Sequence, residues 1–288
     1  MTDYAFRDEP TLSGEALLRW YLDAGVDECI AEEPQDFYTR AAEAKAALAA
    51  KLPPSQKVDP AQKVKPPPSG SGQPAAAPAQ PPPGQTEALT QAVHVAKAAM
   101  TVDELKKALE AFDGCGLKRT ATNLVFTDGN PEASVLFIGE GPGAEEDRQG
   151  LPFVGPSGRL LDQMLESIGL DRSRVLISNT VFWRPPGNRT PTTGEVALCQ
   201  PFVERLIELV DPNLIVALGK PAANALTGRA EALSKMRGRW FDYQCEGLTR
   251  PVPLTALYHP AYLLRTPAQK RMAWKDLLMI RRKLLESG

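Results

Sequence analysis

Four acidic residues are crowded into one short segment, IGEGPGAEEDRQGLPFVG at Ile138–Gly155, which we call the acidic loop. The acids are Glu140, Glu145, Glu146 and Asp147, and a single aromatic residue, Phe153, follows them. Carboxylates this close together raise one another's pKa, so a fold that keeps them there must offset their repulsion. Clustered carboxylates can orient water or transfer a proton. We therefore expect the acidic loop to carry chemistry.

Two other residue types suited to chemistry follow apolar runs. The amide of Asn179 offers both a donor and an acceptor, as the Watson–Crick edge of a nucleobase requires, although a turn residue at a strand end is the alternative. His259 is one of only two histidines, and Pro260 stiffens the turn that aims its ring. A structural, hydrogen-bonding histidine is the alternative there.

Candidate DNA contacts lie near these residues. We call Leu263-Leu264-Arg265 the wedge segment. It combines apolar side chains with a cation, which suits insertion into a duplex and binding of a phosphate. Two weaker candidates for a phosphate-binding site are Gly219-Lys220, at the start of a predicted helix, and Gly155–Gly158, which contains Ser157.

The elements that must position these residues alternate along the chain after Ala133. Short apolar runs predict four strands, which are Val135–Ile138, Val175–Ile177, Leu214–Leu218 and Val252–Leu257. Helical stretches separate them at Arg159–Ile168, Glu195–Val210 and Pro221–Leu226, and Ala268–Leu285 closes the chain. This alternation predicts an α/β fold, a three-layer αβα arrangement around a central four-stranded parallel twisted sheet. All the candidate residues then follow strands at one edge of that sheet.

The chain divides into three parts by composition. Residues 1–51 read as a helical N-terminal segment, and residues 52–85 form a Pro/Ala-rich linker that we expect to be disordered. Eleven of the 27 prolines lie between Pro53 and Pro83, so this stretch has too few apolar side chains to bury a core. Residues 86–288 hold the α/β domain.

Charge and hydropathy narrow the class of protein. A formal net charge of -2 argues against binding driven by a global basic field, although a local basic face would suffice for DNA. We see no signal peptide at Met1–Tyr4 and no apolar run long enough to span a bilayer, so we expect no membrane partner. The four cysteines are widely scattered, which favours reduced thiols and a cytoplasmic protein.

Three segments together resemble the uracil-DNA glycosylase superfamily, and its family 4 in particular. They are GEGPGAEEDRQGLPFVG at Gly139–Gly155, NTVFWRPPGNRTP at Asn179–Pro191 and HPAYLLR at His259–Arg265. The resemblance covers Asp113 to about Leu285, in the same order, and leaves the first hundred residues unmatched. It implies a base-excision repair enzyme that flips uracil out of DNA, hydrolyses its N-glycosidic bond, releases free uracil and leaves an abasic site.

The resemblance also implies roles for individual residues. The catalytic set is Glu140, Glu146 and His259, the substrate-binding set is Gly141, Phe153 and Asn179, and the DNA-binding set is Ser157, Lys220, Leu263, Leu264 and Arg265. Phe153 would stack on the base, Asn179 would accept from N3–H and donate to O4, and His259 would stabilise negative charge at O2. Glu140 would position Asn179, and Glu146 would orient water. The residues alone do not choose among Glu145, Glu146 and Asp147; the family's pattern selects Glu146.

The departure from family 4 concerns metal. That family usually binds a 4Fe–4S cluster through four cysteines, and Cys115 and Cys199 stand at two of these positions. Phe112 and Trp183 stand at the other two. Because a cluster needs four soft donors, we expect it to be lost, no other cofactor to replace it, and the two aromatic rings to fill the vacated volume.

Two alternatives remain beside the enzyme. The chain could bind uracil-containing or abasic-site DNA without turnover, or it could be a nucleotide-binding α/β protein of another use. We expect uracil-containing DNA as the partner and a monomeric protein. The N-terminal segment or the Pro-rich linker is a candidate for binding a protein partner.

Overall fold

The structure is a computed structural model that describes residues 83–287. The helical segment predicted at 1–51, and the predicted linker at 52–85 except for its last three residues, lie outside the described residues. Those three residues belong to the first described helix. The domain predicted at 86–288 is described except for its last residue.

A six-stranded sheet forms the centre of the domain. Its strands are β1 (Asp128–Gly129), β2 (Val135–Gly139), β3 (Leu176–Asn179), β4 (Leu214–Leu218), β5 (Phe241–Tyr243) and β6 (Val252–Leu257). Their order across the sheet is β1-β3-β2-β4-β6-β5. The four inner strands are parallel, and β1 and β5 pair antiparallel at the two edges.

The prediction of a four-stranded sheet is therefore wrong in its count, although every predicted strand exists. The inner strands are apolar runs; all five residues of β2 and all five of β4 are buried, as expected of parallel strands covered on both faces. The two missed strands are two and three residues long and partly exposed, so they carry no apolar run.

Nine α-helices accompany the sheet within residues 83–287. They are α1 (Pro83–Ala98), α2 (Val102–Ala111), α3 (Ala144–Gln149), α4 (Pro156–Glu166), α5 (Thr193–Val210), α6 (Lys220–Thr227), α7 (Leu233–Met236), α8 (Pro260–Arg265) and α9 (Lys270–Ser287). The four helices predicted after Ala133 correspond to α4, α5, α6 and α9. The short helix α3 lies within the acidic loop, and α8 lies within the segment that follows the last predicted strand.

The core lies on both faces of the sheet. Along β2, Leu136 and Ile138 join one buried cluster, whereas Val135 and Phe137 join the other, because successive side chains of a strand point to opposite faces. Helices α1, α2, α5 and α6 contribute to the first cluster, and α4 and α9 contribute to the second. The three-layer αβα arrangement is thus confirmed.

The register of the sheet sets the positions of the site residues. Gly139 at the end of β2 pairs with Asn179 at the end of β3, and both strands run in the same direction. Since parallel strands bring their carboxyl ends to one edge, the loops that follow β2, β3, β4 and β6 begin there together.

No helix among residues 83–287 is both long and apolar enough to cross a membrane.

Candidate active site

A cavity of about 710 Å³ opens at this edge of the sheet. All four predicted loops reach it, through Glu140 after β2, Asn179 at the end of β3, Lys220 after β4 and His259 after β6. The expectation that the four loops would meet is confirmed. The cavity is large enough to hold a small ring such as a nucleobase.

The amide of Asn179 is prepared for a ligand. Its side chain is 1% exposed, and Oδ1 has no hydrogen-bond partner among the described residues. A side-chain carbon at Gly139 would lie 2.5 Å from this oxygen, so only glycine leaves room for it. An unpaired buried acceptor costs free energy, which a donor on a bound molecule would recover.

Phe153 forms another wall of the cavity. Its ring lies against Gly139, where a side-chain carbon would approach Phe153 Cζ to 2.7 Å. The ring centroid of Phe153 is 5.5 Å from that of His259, with the planes at 32°. Phe153 has φ +55°, a left-handed conformation that is uncommon for a residue with a side chain. Such backbone strain concentrates at functional sites.

His259 has a defined tautomer. The main-chain N–H of Ala261 donates to Nδ1 over 3.1 Å, so in the neutral ring the proton is on Nε2. Burial, with a further contribution from Arg265, lowers the pKa of His259 to about 4 against the opposing effect of Glu146. The ring is therefore neutral at pH 7 and can donate one hydrogen bond from Nε2.

The three consecutive acids of the acidic loop have different surroundings. Glu145 is exposed and pairs with Arg148. Asp147 is buried and accepts from the N–H groups of Thr122 and Asn123 over 2.8 and 3.1 Å. Of the three, only Glu146 lines the cavity.

The Glu146 carboxylate also braces the loop. Oε2 accepts from the N–H of Gly143 over 3.1 Å, and Oε1 accepts from Val154 and Gly155 over 3.1 and 3.0 Å. Three main-chain N–H groups therefore fix the position of this carboxylate. The choice of Glu146 as the residue that orients water stays a prediction, and the geometry adds a bracing role that the sequence did not indicate.

Glu140 lines the cavity but does not hold the Asn179 amide as predicted. Burial raises the pKa of the Glu140 carboxyl, and a hydrogen bond with Thr190 opposes that shift. The main chain of Glu140 also meets the segment after β3: its carbonyl accepts from Thr180 Oγ1 over 2.7 Å and from the Val181 N–H over 3.3 Å. Thr190 was missed because its contact with Glu140 spans fifty positions.

The predicted DNA contacts divide into two groups. Ser157, Lys220 and Arg265 line the cavity, as does the substrate-binding candidate Gly141. In the wedge segment, Leu264 is 43% exposed, whereas Leu263 is 1% exposed and packs in the core with α4. Leu263 therefore does not reach the surface, because the single turn of α8 directs adjacent side chains to different sides.

An arginine side chain within the loop after β3 anchors that loop. Arg189 makes two hydrogen bonds to Glu195 near the start of α5, over 2.8 and 2.7 Å, and this pairing lowers the pKa of Glu195 to about 2. The contact anchors the loop that carries Thr190 beside Glu140.

The residues at the family's cluster position do not fit a 4Fe–4S group. Cys115 and Cys199 are buried and hydrogen-bonded to each other, and this bond together with burial raises the pKa of the Cys199 thiol well above its ordinary value. Phe112 and Trp183 are each 2% exposed, and the Phe112 ring packs 5.3 Å from Phe202. Two thiols and two aromatic rings cannot replace four thiolates.

Comparison with known proteins matches this site to one family. The profile of the Uracil DNA glycosylase superfamily matches residues 126–278. A Type-4 uracil-DNA glycosylase of Archaeoglobus fulgidus is 40% identical over 171 residues, covering 58% of this chain and 85% of the relative. One from Pyrobaculum aerophilum is 39% identical over 184 residues (62% and 93%), and one from Thermotoga maritima is 40% identical over 166 residues (57% and 84%).

Proposed function

The chain belongs to the uracil DNA glycosylase superfamily, and on that premise we propose that it is a uracil-DNA glycosylase of base-excision repair. It hydrolyses the N-glycosidic bond of deoxyuridine in DNA, using one water, to give free uracil and an abasic site. Because the reacting bond is inaccessible within a stacked duplex, the enzyme flips the nucleotide into the cavity before hydrolysis.

The observation that carries the proposal is the unpaired amide oxygen of Asn179. Uracil presents N3–H next to O4, so Oδ1 can accept from N3–H while the amide nitrogen donates to O4. Cytosine presents the reverse, an unprotonated N3 beside an amino group. With the amide in the orientation that the structure shows, both of its atoms would then be mispaired, which gives the site a basis for rejecting cytosine.

Phe153 supplies binding without reading the base. A flipped pyrimidine that meets Asn179 lies along the Phe153 ring, because that ring packs beside the same glycine, Gly139. Stacking on an aromatic face contributes about 1–3 kcal/mol per base and tolerates any base.

Departure of uracil leaves negative charge on the base and positive character on the sugar. The Nε2–H of neutral His259 is available to donate to O2 of the leaving base, and this bond strengthens as charge develops there. A neutral donor suits this role because it stabilises the anion without first having to be protonated.

Glu146 is the carboxylate proposed to act on the sugar side. Three N–H groups fix its position while it lines the cavity. From there it would orient water toward C1′, offset the oxocarbenium charge and receive the water's proton. Glu140, half-buried and hydrogen-bonded to Thr190, is proposed to complete the polar wall of the cavity.

On the DNA, Leu264 is proposed to fill the space left by the flipped base. Arg265, Lys220 and Ser157 line the cavity and are proposed to contact flanking phosphates.

The proposed enzyme works without an iron–sulfur cluster. The donor set at that position supports this, since it consists of two thiols, and the two aromatic rings belong to the same buried cluster. We further propose a monomer that acts in the cytoplasm, with segment 1–51 or the linker available to a protein partner; these statements rest on the sequence alone.

The test uses oligonucleotides containing one uracil, single- and double-stranded, followed by alkali. Strand breaks at the uracil position are expected. A gel shift without breaks would favour the non-catalytic DNA-binding protein, and the absence of both breaks and a gel shift would favour an unrelated nucleotide-binding protein.

A matched pair of variants tests the role of the amide. Asn179→Asp should slow uracil release at least about tenfold because it removes the donor to O4. Ser178→Ala removes the adjacent buried hydroxyl, which bonds Phe126, and should change only stability.

A further inference from the structure

The backbone of Phe153 needs support that its own segment does not provide. Its φ of +55° is disfavoured for a residue with a side chain, so neighbouring groups must hold it. On its C-terminal side, Glu146 accepts from the N–H groups of Val154 and Gly155. On both sides of its Cα, further support comes from one residue nineteen positions later in the chain.

That residue is Arg172, in the connection between α4 and β3. Its Nη2 donates to the main-chain oxygen of Phe153, and its Nη1 donates to that of Pro152 over 3.3 Å. Two successive carbonyl groups, one on each side of the Phe153 Cα, are therefore held by one guanidinium group.

The guanidinium group is itself fixed by two carboxylates. Nε donates to Asp162 Oδ1 of α4 over 2.8 Å, and Nη1 donates to Asp128 of β1. Arg172 is partly buried, so both pairs are less screened than surface pairs. The planar donor fork of arginine can serve all four acceptors together, which the single ammonium group of lysine cannot do.

The Phe153 carbonyl has little room to move. A side-chain carbon at Gly158 in α4 would lie 1.7 Å from this oxygen, so the helix and the carbonyl are in close contact. The Phe153 ring lies against Gly139, and the Asn179 amide oxygen lies next to the same glycine. A rotation of the Phe153 backbone would therefore move the ring relative to the Asn179 amide.

We propose that Arg172 is a positioning residue for the uracil site, holding Phe153 in the left-handed conformation that places its ring beside Asn179 and His259. This inference rests on the proposed function, because stacking of the flipped base on Phe153 is what the support serves. Arg172 touches neither base nor sugar; it acts through Phe153.

A double-mutant cycle tests this, with kcat and KM for uracil release and the inhibition constant of free uracil measured for each protein. Arg172→Gln is expected to lower kcat/KM about tenfold or more and to weaken inhibition by free uracil. In a Phe153→Ala background the same change should have less than about a twofold effect, because the ring that Arg172 positions is gone. A general structural role predicts equal losses in both backgrounds, and that result would overturn the proposal.

Two further variants distinguish a positioning role of Arg172 from a loss of activity through unfolding. Arg174→Gln removes an exposed arginine two positions away that bonds the Gly169 carbonyl, and it should keep wild-type kcat/KM. Arg172→Lys keeps the positive charge between Asp128 and Asp162 but cannot also hold both carbonyls, so it should be folded and still impaired. Wild-type activity in Arg172→Lys and Arg172→Gln would refute the proposal. If the wild-type chain releases no uracil, the proposed function fails instead.

Discussion

The N–H of Ala261 donates to Nδ1 of His259 over 3.1 Å, and this contact decides which nitrogen of the ring faces a bound base. Only Nε2 then carries the proton of the neutral imidazole. Because the same histidine is the residue before α8, the first turn of that helix orients a catalytic candidate and begins the wedge segment.

The low pKa of His259 predicts how stability depends on pH. The pKa is about 4 in the folded protein and 6.5 in the ordinary ring, so below pH 6.5 the unfolded chain takes up a proton that the folded protein does not. Proton uptake by the unfolded chain lowers the free energy of unfolding. The stability that depends on a neutral His259 is therefore fully present above pH 6.5 and is lost as the pH falls toward 4.

The measurement is urea unfolding of the wild type and His259→Gln. The wild type should lose more stability than the variant between about pH 7 and about pH 5, because glutamine does not titrate. Equal losses would show that the ring is not held neutral.

At pH 7, His259→Ala should slow uracil release at least about tenfold, with DNA binding nearly unchanged.

Glu146 should be far more sensitive to substitution than its neighbour Glu145. Glu146→Gln leaves an amide NH₂ facing at least one of the three N–H donors, so we expect a loss of about 1–3 kcal/mol of stability and at least about tenfold slower release of uracil. Glu145→Gln removes only an exposed pair with Arg148 and should stay within about twofold of the wild type. Full activity in Glu146→Gln would exclude its proposed role.

The sequence predicted the strands that carry the site because these strands follow from local patterns of apolar residues. Buried parallel strands are continuous apolar runs, so the four inner strands could be read directly, and their ends locate Glu140, Asn179 and His259 at one edge. The edge strands β1 and β5 escaped prediction, since strands of two or three partly exposed residues show no periodicity.

What the sequence could not indicate depends on contacts between distant residues. Asp147 meets Thr122 and Asn123 about twenty-five positions away, and Arg172 meets Phe153 across nineteen. The same limit explains Leu263, which reads as one half of an apolar pair but packs into the core in the folded chain.

The two leucines of the wedge segment should therefore separate stability from activity. Leu263→Ala removes a core side chain and should cost about 2–5 kcal/mol of stability. Leu264→Ala removes an exposed one and should leave stability within about 0.5 kcal/mol of the wild type.

Activity should show the opposite order. Leu264→Ala should slow uracil release from duplex DNA more than from single strands, because only a duplex needs its vacated stack filled. Rates on both substrates, normalised to the wild type, give the comparison. An equal effect on the two substrates would remove Leu264 from the flipping step.

The cluster position supports a prediction about iron. The wild-type chain should purify without iron, because Phe112 and Trp183 occupy the places of two ligands. The double substitution Phe112→Cys and Trp183→Cys restores four thiols and should take up about four irons per chain on anaerobic reconstitution. Without iron, this variant should be several kcal/mol less stable than the wild type, since two buried aromatic side chains are lost.

The matched control adds two cysteines elsewhere, by Trp240→Cys and Trp274→Cys on the other face of the sheet. It should take up no cluster, because its new thiols do not meet Cys115 and Cys199. Four irons in the wild-type chain would contradict the prediction. Iron uptake confined to the Phe112→Cys and Trp183→Cys protein would show that the backbone still has the geometry of a cluster site, and that the loss of two thiolates is what removed the metal.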